Sequence, residues 1–362
     1  MRREPQYVVF LMESGTRSRK NADEFARYYG RLEQKNMSPL WEKMRNLVTP
    51  EPVTPVKAAH WRYEDVRPLL FEAGRMISAE EAERRVLVLE NPGLPNMASI
   101  THSLYAGIQL VLPGEVAPQH RHSQAALRFV LEGKGATTTV NGERLEMYPG
   151  DLVLTPSFQW HDHQNETDEP IVWMDGLDIA LVNLLDASFA SFSNQREQEV
   201  TQAKGTSRAR YGGNLLPIDD GPVSLNSPLV RYPYAEAKKS LEHLRAHSDW
   251  DPCHGVRMRY AHPQTGDWPM PTMGQVIQLV PGRFATAPYR ATDGTIYAVA
   301  EGNGTAMIGD ETFQVTQKDV FVAPPWAWRK FKSDGDLVLF SFSDRPVQEK
   351  LGLWREERGA AA

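Results

Sequence analysis

Gly114-Glu115-Val116-Ala117-Pro118-Gln119-His120-Arg121-His122, answered further on by Pro156-Ser157-Phe158-Gln159-Trp160-His161-Asp162-His163, is the stretch on which the fold turns. Because a single residue separates His120 from His122, an extended strand presents both rings on one face. Between the two segments the chain is reversed at Gly133-Lys134-Gly135, at Asn141-Gly142 and at Pro149-Gly150-Asp151. His161 therefore returns beside the first pair about one hairpin and two strands later. The pattern describes a small antiparallel barrel with three imidazoles set for one metal ion. The whole chain has ten histidines, and four of them fall in these two segments, a clustering that favours ligation over scattered surface residues.

Outward from this centre, the chain is long enough for two domains or one tightly packed tandem. Its 362 residues are 41% hydrophobic and 24% charged, as expected of a globular protein with a substantial core. A net charge of −6 argues against nucleic acid as a partner, since phosphate neutralisation needs a basic surface. Cys253 is the sole cysteine, so no intrachain disulfide can form, and a reducing compartment fits. Near the start, Arg2 and Arg3 precede Tyr7-Val8-Val9-Phe10-Leu11-Met12, an apolar run shorter than a signal-peptide core that reads as a docking segment. No run approaches the roughly 20 apolar residues that span a bilayer. The expected setting is the cytoplasm, without a membrane partner.

Residues 21–48 read as helical, with Asn21 and Glu24 as a capping pair and Phe25, Tyr28, Tyr29 and Leu32 forming a stripe suited to packing. Pro50-Glu51-Pro52-Val53-Thr54-Pro55 breaks that pattern. A helix is expected from Tyr63 to Arg75, a capping box and short helix at Ser78-Ala79-Glu80-Glu81, and a strand at Val86-Leu87-Val88-Leu89.

The chain also repeats itself. Leu110 through His163 and Leu279 through Phe331 each run from a Pro-Gly turn to a Glu-Gly-x-Gly turn (Glu132 to Gly135; Glu301 to Gly304) and then to a proline-aromatic segment (Pro156 to Trp160; Pro324 to Trp328). Set against the first copy, Pro288 and Arg290 stand for His120 and His122, and Arg329 for His161, so the second copy is expected to bind no metal. Residues 190–233 read as a polar connector, ordered because a structureless loop of that length is unusual inside a compact fold. Ala235 to His247 reads as a helix packed on a barrel. The resulting division is 1–90 for an N-terminal helical region and first strand, 91–190 for a metal-binding barrel, 191–265 for a connector with a helix, and 266–362 for a degenerate barrel and tail.

These residues carry a resemblance. Gly114 followed by His120-Arg121-His122, and Gly150-Asp151-Leu152-Val153-Leu154-Thr155-Pro156 followed by His161 and Asn165, resemble the two motifs of the cupin superfamily, and the duplication makes the chain a bicupin. His-Arg-His-Ser-Gln-Ala-Ala-Leu-Arg-Phe from His120, Trp160-His161-Asp162-His163, and Glu83-Arg84-Arg85-Val86-Leu87-Val88-Leu89-Glu90-Asn91-Pro92-Gly93 resemble more closely the gentisate 1,2-dioxygenase family, with its salicylate and 1-hydroxy-2-naphthoate ring-cleaving members. The match runs from about residue 25 to the C-terminus. It implies a mostly β fold of two tandem double-stranded β-helix (jelly-roll) barrels behind an N-terminal helical region.

The glutamate that many cupins add as a fourth ligand is absent, and Ala126 occupies its approximate place. Three neutral donors leave a divalent ion its full charge and about three open positions. The resemblance implies Fe(II), one per subunit, and redox chemistry favours it over zinc, which passes no electron to oxygen, while manganese and nickel stay open on the sequence alone. The implied reaction is extradiol-type cleavage of gentisate by O2 to maleylpyruvate. A 2-hydroxybenzoate would bind through its carboxylate and phenolate, leaving room for O2.

Around the three ligands, Arg128 is the first choice to grip the substrate carboxylate. It follows His122 by six residues, which puts it on the same face if the strand continues. Arg84 is the second candidate by resemblance, with one member of the Arg84-Arg85 pair expected to be only a solvated charge. His163 shares the face of His161 and is a candidate catalytic base or donor rather than a ligand. Asp175 is available to orient either His163 or Arg128. Tyr105 and Gln109 alternate on a strand that lines the pocket in the family, and Gly107 between them either leaves room for a ring or accommodates a neighbouring strand.

Three other readings stay open at this level: a salicylate or 1-hydroxy-2-naphthoate dioxygenase, a non-enzymatic bicupin that binds metal or an aromatic acid, and redox-neutral cupin chemistry. The second barrel is expected to pack against the first or against another subunit, in a homo-oligomer that is a dimer or a tetramer.

Overall fold

The computed structural model describes residues 19–213 and 215–360, so the N-terminal segment at Arg2, Arg3 and Tyr7 to Met12 lies outside the described residues. The chain divides into two compact units between Val53 and Thr54.

In the first unit, α1 (Arg19–Glu33) and α2 (Leu40–Leu47) replace the single helix expected over residues 21–48. The break has a local cause. Asn36 takes a left-handed conformation (φ 54°) and Pro39 stands just ahead of α2, where it cannot continue a helix begun earlier. Since α1 already begins at Arg19, Asn21 lies within it and is not its cap. Phe25, Tyr28, Tyr29 and Leu32 are only half-buried. Tyr29 joins the two helices, donating its hydroxyl to Glu42 at 2.7 Å and accepting from Trp41 Nε1 at 3.1 Å.

The second unit opens with β1 (Ala59–Trp61), α3 (Tyr63–Met76) and β2 (Val86–Val88). The first barrel follows as β3 (Tyr105–Val111), β4 (Val116–His122), β5 (Ala126–Glu132), β6 (Thr137–Val140), β7 (Glu143–Glu146), β8 (Leu152–Thr155), β9 (His161–Gln164) and β10 (Ile171–Leu177). Between the barrels run α4 (Ile179–Leu184), β11 (Ala190–Phe192), α5 (Thr206–Tyr211), β12 (Arg231–Tyr232) and α6 (Tyr234–His247). The second barrel comprises β13 (Val256–Arg259), β14 (Gly274–Val280), β15 (Tyr289–Ala291), β16 (Thr295–Glu301), β17 (Asn303–Ile308), β18 (Glu311–Thr316), β19 (Val320–Ala323), β20 (Arg329–Lys332) and β21 (Leu337–Ser343), before α7 (Arg345–Lys350) and β22 (Glu356–Arg358).

Each half faces a six-stranded sheet with a five-stranded one, all antiparallel: β12-β8-β5-β10-β3-β2 with β11-β4-β9-β6-β7, and β1-β19-β16-β21-β14-β13 with β18-β17-β20-β15-β22. This is the bicupin fold. The connecting segments are not bystanders: β11 and β12 extend the two sheets of the first barrel, whereas β1, from the far N-terminal side, pairs with β19 of the second.

Period-two burial explains how the halves meet. Leu127, Phe129 and Leu131 point out of the first barrel and join Ile277, Leu279, Val338, Phe340 and Phe342 in one shared apolar core. Phe129 and Phe340 stack at 4.3 Å with planes 6° apart, and truncating either to alanine should cost about 3–5 kcal/mol. The alternate residues Val111, Val130, Val153, Ile171 and Trp173 fill the first barrel's interior with Ala136 and Met147. Helix α6 adds Leu241 to the shared core.

At Ser78 the reciprocal capping bonds form, Ser78 N donating to Glu81 and Glu81 N to Ser78 Oγ at 3.1 Å each, but they close a turn and start no helix. Glu83 just after it is left-handed (φ 54°), which stops propagation. Gly150 does need its glycine: φ is +82°, and a Cβ would sit 2.5 Å from the Tyr234 ring.

Candidate metal centre and its pocket

His120 and His122 project from the inner face of β4, and β9 lies against it with His161 opposite His120. Ring centroids are 5.1 Å apart for His120 and His122, 4.5 Å for His120 and His161, and 5.0 Å for His122 and His161. One nitrogen of each lies within 4.8 Å of the others. Two tautomers are set by the backbone. His122 Nδ1 faces the Gln124 carbonyl at 2.8 Å and His161 Nδ1 faces the Gln159 carbonyl at 3.0 Å, so each Nδ1–H donates and each Nε2 lone pair stays free. Burial, with the nearby guanidinium charges, holds all three imidazoles below their ordinary pKa, His161 well below it and His120 at about 2. The donor set is neutral and oriented, which fits a divalent transition metal. Ala126 begins β5 opposite Thr155 and Leu177 and brings no carboxylate to the set.

Arg128 reaches this interior by a route different from the one its spacing implied. Ser123 to Ala125 separate β4 from β5, so no continuous strand links it to His122; it stands on the opposite sheet, facing inward by the alternation of β5. It is 3% exposed, donates to Thr155 Oγ1 at 2.6 Å, and lies 3.6 Å from Asp175 Oδ1, its direct neighbour across β5 and β10. Asp175 thus pairs with Arg128 rather than with His163, and it also accepts from Trp173 Nε1 at 2.9 Å. Burial pushes its carboxyl up to about 6 against the pull of Arg128.

His163 is fully enclosed, with its ring 5.1 Å from Trp173 and 5.9 Å from His161. Burial and Arg128 keep it neutral, and both ring nitrogens lack a hydrogen-bond partner among the described residues. Gln109 Nε2 is likewise buried and unpaired there. Two buried polar side chains on the barrel's inner side without protein partners suit a ligand of complementary polarity.

Neither arginine of the Arg84-Arg85 pair is a solvated charge, contrary to expectation. Arg85 is buried in an ion pair with Glu115, its Nη1 2.8 Å from Oε1, and it bonds the Ile77 and Leu110 carbonyls. Arg84 donates to Pro118 O at 2.9 Å, and burial together with Arg128 draws its guanidinium down to about 9. The charges of Arg84 and Arg128 both bear on His120, His122, His161 and His163. The pocket is thus electropositive before any metal is counted. Tyr105 stands at the same end, its hydroxyl raised by burial and by Asp175. The space over Gly107 is filled: a Cβ there would lie 2.5 Å from Val86 Cγ1 on the neighbouring strand and 2.7 Å from the Tyr105 hydroxyl.

Thr155, read only as part of a motif, and Trp173 were not singled out as site residues from the sequence, although Trp173 shares strand parity with Asp175. The carbonyls of Gln124 and Gln159 had no signal at all, being backbone atoms. In the second barrel the register corrects the expected correspondence by one residue. Tyr289 faces Arg329 as His120 faces His161, and Trp326 N donates to Ala291 O as Phe158 N does to His122 O, each at 2.7 Å. Tyr289 and Ala291, not Pro288 and Arg290, therefore stand at the first two ligand positions, with Arg329 at the third. Arg329 there donates to Thr295 at 2.9 Å and lies against the Tyr289 ring.

Comparison with known proteins agrees with this architecture. The cupin domain model matches residues 107–179. Gentisate 1,2 dioxygenase 1 of Aquipseudomonas alcaligenes is 50% identical over 331 residues, covering 91% of this chain and 95% of that protein. A 5-aminosalicylate 1,2-dioxygenase of Comamonas sp. is 38% identical over 90% of this chain and 88% of its own. Among solved structures, the salicylate 1,2-dioxygenase of Pseudoaminobacter salicylatoxidans with gentisate superposes with a TM-score of 0.88 at 31% identity, covering 96% of each chain.

Proposed function

The chain belongs to the gentisate 1,2-dioxygenase family, and we propose that it opens the ring of gentisate (2,5-dihydroxybenzoate) with O2 to give maleylpyruvate, using one Fe(II) per chain. The observation that carries this reading is the convergence of His120, His122 and His161 beneath Arg84 and Arg128. Both oxygen atoms enter the product, so the reaction balances without an external reductant. Bound Fe(II) would supply the redox-active centre at which the aromatic acid and O2 meet.

The remaining work falls to the protein. His120, His122 and His161 hold the ion as neutral donors. Arg128, braced by Thr155 and Asp175, takes the substrate carboxylate, with Arg84 adding positive charge nearby. A carboxylate bound there is paired, and the two cations no longer repel without compensation. His163, kept neutral, exchanges a hydrogen bond with a ring hydroxyl and is the group placed to move its proton. Tyr105 and Gln109 bound the ring on the β3 side, Gly107 leaving Tyr105 the room it occupies and Gln109 Nε2 being free to donate. Orientation is the main gain, because a ring fixed against two cations and a metal reacts from one pose.

Salicylates and 1-hydroxy-2-naphthoate form the second reading, supported by the salicylate and 5-aminosalicylate dioxygenases among the relatives. They share the 2-hydroxy acid that the arginines and the metal would grip. Oxygen uptake by anaerobically Fe(II)-loaded protein, challenged with the three acids in turn, separates the readings. Uptake with gentisate supports the first; uptake confined to the other acids replaces it with the second. No helix among the described residues is long and apolar enough to cross a membrane. Exposed Leu184, Leu185, Phe189 and Phe192 beside the metal barrel support assembly into a homo-oligomer.

A further inference from the structure

We infer that Arg121 is a positioning residue for the metal centre, tying the strand that carries His120 and His122 to the loop that delivers His161. The inference rests on the reading of those three imidazoles as a metal site. Strand alternation turns the Arg121 side chain away from its two flanking ligands. On that outer face its guanidinium lies 4.5 Å from the centroid of Phe158 and 4.9 Å from that of Trp160. Both rings belong to the loop between β8 and β9.

The loop needs such a restraint. Phe158 is held in a left-handed conformation (φ 61°) that an aromatic residue adopts only when its surroundings enforce it. Its N–H donates to the His122 carbonyl at 2.7 Å, and Ser157 Oγ donates to the Ser123 carbonyl at 2.5 Å. Gln159, between the two stacked rings, supplies the carbonyl that receives His161 Nδ1–H. The contact therefore runs from Arg121 through the loop backbone to the orientation of the third ligand. Loosening it lets the Gln159 carbonyl, and with it the His161 ring, drift from the other two donors.

The second barrel provides an internal control. Arg290 lies 4.4 Å from the Trp326 centroid and 4.7 Å from that of Trp328, and Trp326 is left-handed too (φ 63°). That clamp closes a loop whose ligand positions hold Tyr289, Ala291 and Arg329. It differs in one respect: Arg290 Nε also donates to Glu357 at 2.7 Å, while the residue that pairs with Arg121 in the same register is Ser191. Arg121 thus depends on the aromatic faces more heavily than its counterpart does.

The test compares Arg121→Met, Arg121→Lys and Arg290→Met in the full chain. Fe(II) affinity is measured by anaerobic competition with a chelator, the visible spectrum of the Co(II)-loaded protein reports ligand geometry, and thermal unfolding of the metal-free forms reports the fold. Arg121→Met should bind Fe(II) about 10- to 100-fold more weakly, the range for residues that orient metal ligands from outside the coordination shell, and its Co(II) spectrum should shift. Arg121→Lys, which keeps a cation over the rings, should recover part of that loss. Arg290→Met should unfold earlier yet hold the metal as the parent does. Affinity within twofold of the parent in Arg121→Met, or equal loss in Arg290→Met, overturns the inference. Should Arg121→Met fail to fold, Trp160→Leu removes one face of the clamp and is read the same way. A parent that binds no metal removes the metal reading itself, an outcome distinct from a metal-binding parent matched by its variant.

Discussion

Gly107→Ala puts one methyl where the structure leaves no room for it. The new carbon would lie 2.5 Å from Val86 Cγ1, 2.7 Å from the Tyr105 hydroxyl and 3.2 Å from Tyr105 Cζ. Apolar carbons settle at about 3.5–4.0 Å, so the Val86 contact is short by about 1 Å. Overpacking of this kind costs about 1–3 kcal/mol. Two neighbours can yield. Val86 is half-buried on the edge strand β2, and its movement would show only as lost stability. Tyr105 stands beside Asp175 in the pocket, and its movement narrows the space for the ring. If the whole cost falls on Tyr105 it appears in kcat/KM, where about 1–3 kcal/mol is about 5- to 150-fold. The assay is kcat/KM for gentisate by oxygen electrode, with thermal unfolding in parallel. Adding Val86→Ala removes the nearest contact and should restore stability while leaving the kinetic loss. A Gly107→Ala protein with kcat/KM within twofold of the parent and an unchanged unfolding midpoint would refute the reasoning.

Other substitutions probe other parts of the pocket. Arg128→Met should lower kcat/KM for gentisate about 10- to 150-fold, from about 1.5–3 kcal/mol for a charge-assisted bond, with metal content retained on elemental analysis. Asp175→Asn concerns pH. The carboxyl is raised to about 6 in the folded protein against about 3.9 unfolded, so the folded state binds the proton more tightly. That contribution favours folding at low pH and is lost as pH rises from about 4 through about 6. It amounts to about 3 kcal/mol on the order-of-magnitude scale of linkage. Urea midpoints taken from pH 4 to 8 should show the variant gaining on the parent as pH rises; parallel curves would contradict the assigned burial. His122→Ala should leave the fold intact by circular dichroism and abolish stoichiometric Fe(II) binding.

Much of this site was legible in the sequence because its signals were periodic. The single residue between His120 and His122 fixes a shared strand face, and the Gly and Asn-Gly turns fix the return of His161. The duplication was legible in its turns, but its register was not: a one-residue offset made Pro288 and Arg290 stand for positions that Tyr289 and Ala291 hold. Only the pairing of Tyr289 with Arg329 resolves it. Arg128 illustrates the opposite case: it faces the barrel interior, but from the opposite sheet rather than along the strand of His122, since strand parity does not survive the break at Ser123 to Ala125. Arg85 was misread because its partner Glu115 is distant in sequence and joins it only across the folded sheet. The exchange of β1 into the second barrel has the same origin: such pairings depend on tertiary context, which local patterns do not encode.

Mass analysis of the product formed from gentisate and isotopically labelled O2, by the Fe(II)-loaded parent and by His122→Ala, tests the central claim most directly. The parent should release maleylpyruvate carrying two labelled oxygen atoms, and His122→Ala should release none. Unlabelled product, or equal turnover in the two proteins, would contradict an oxygen-splitting metal held by His120, His122 and His161.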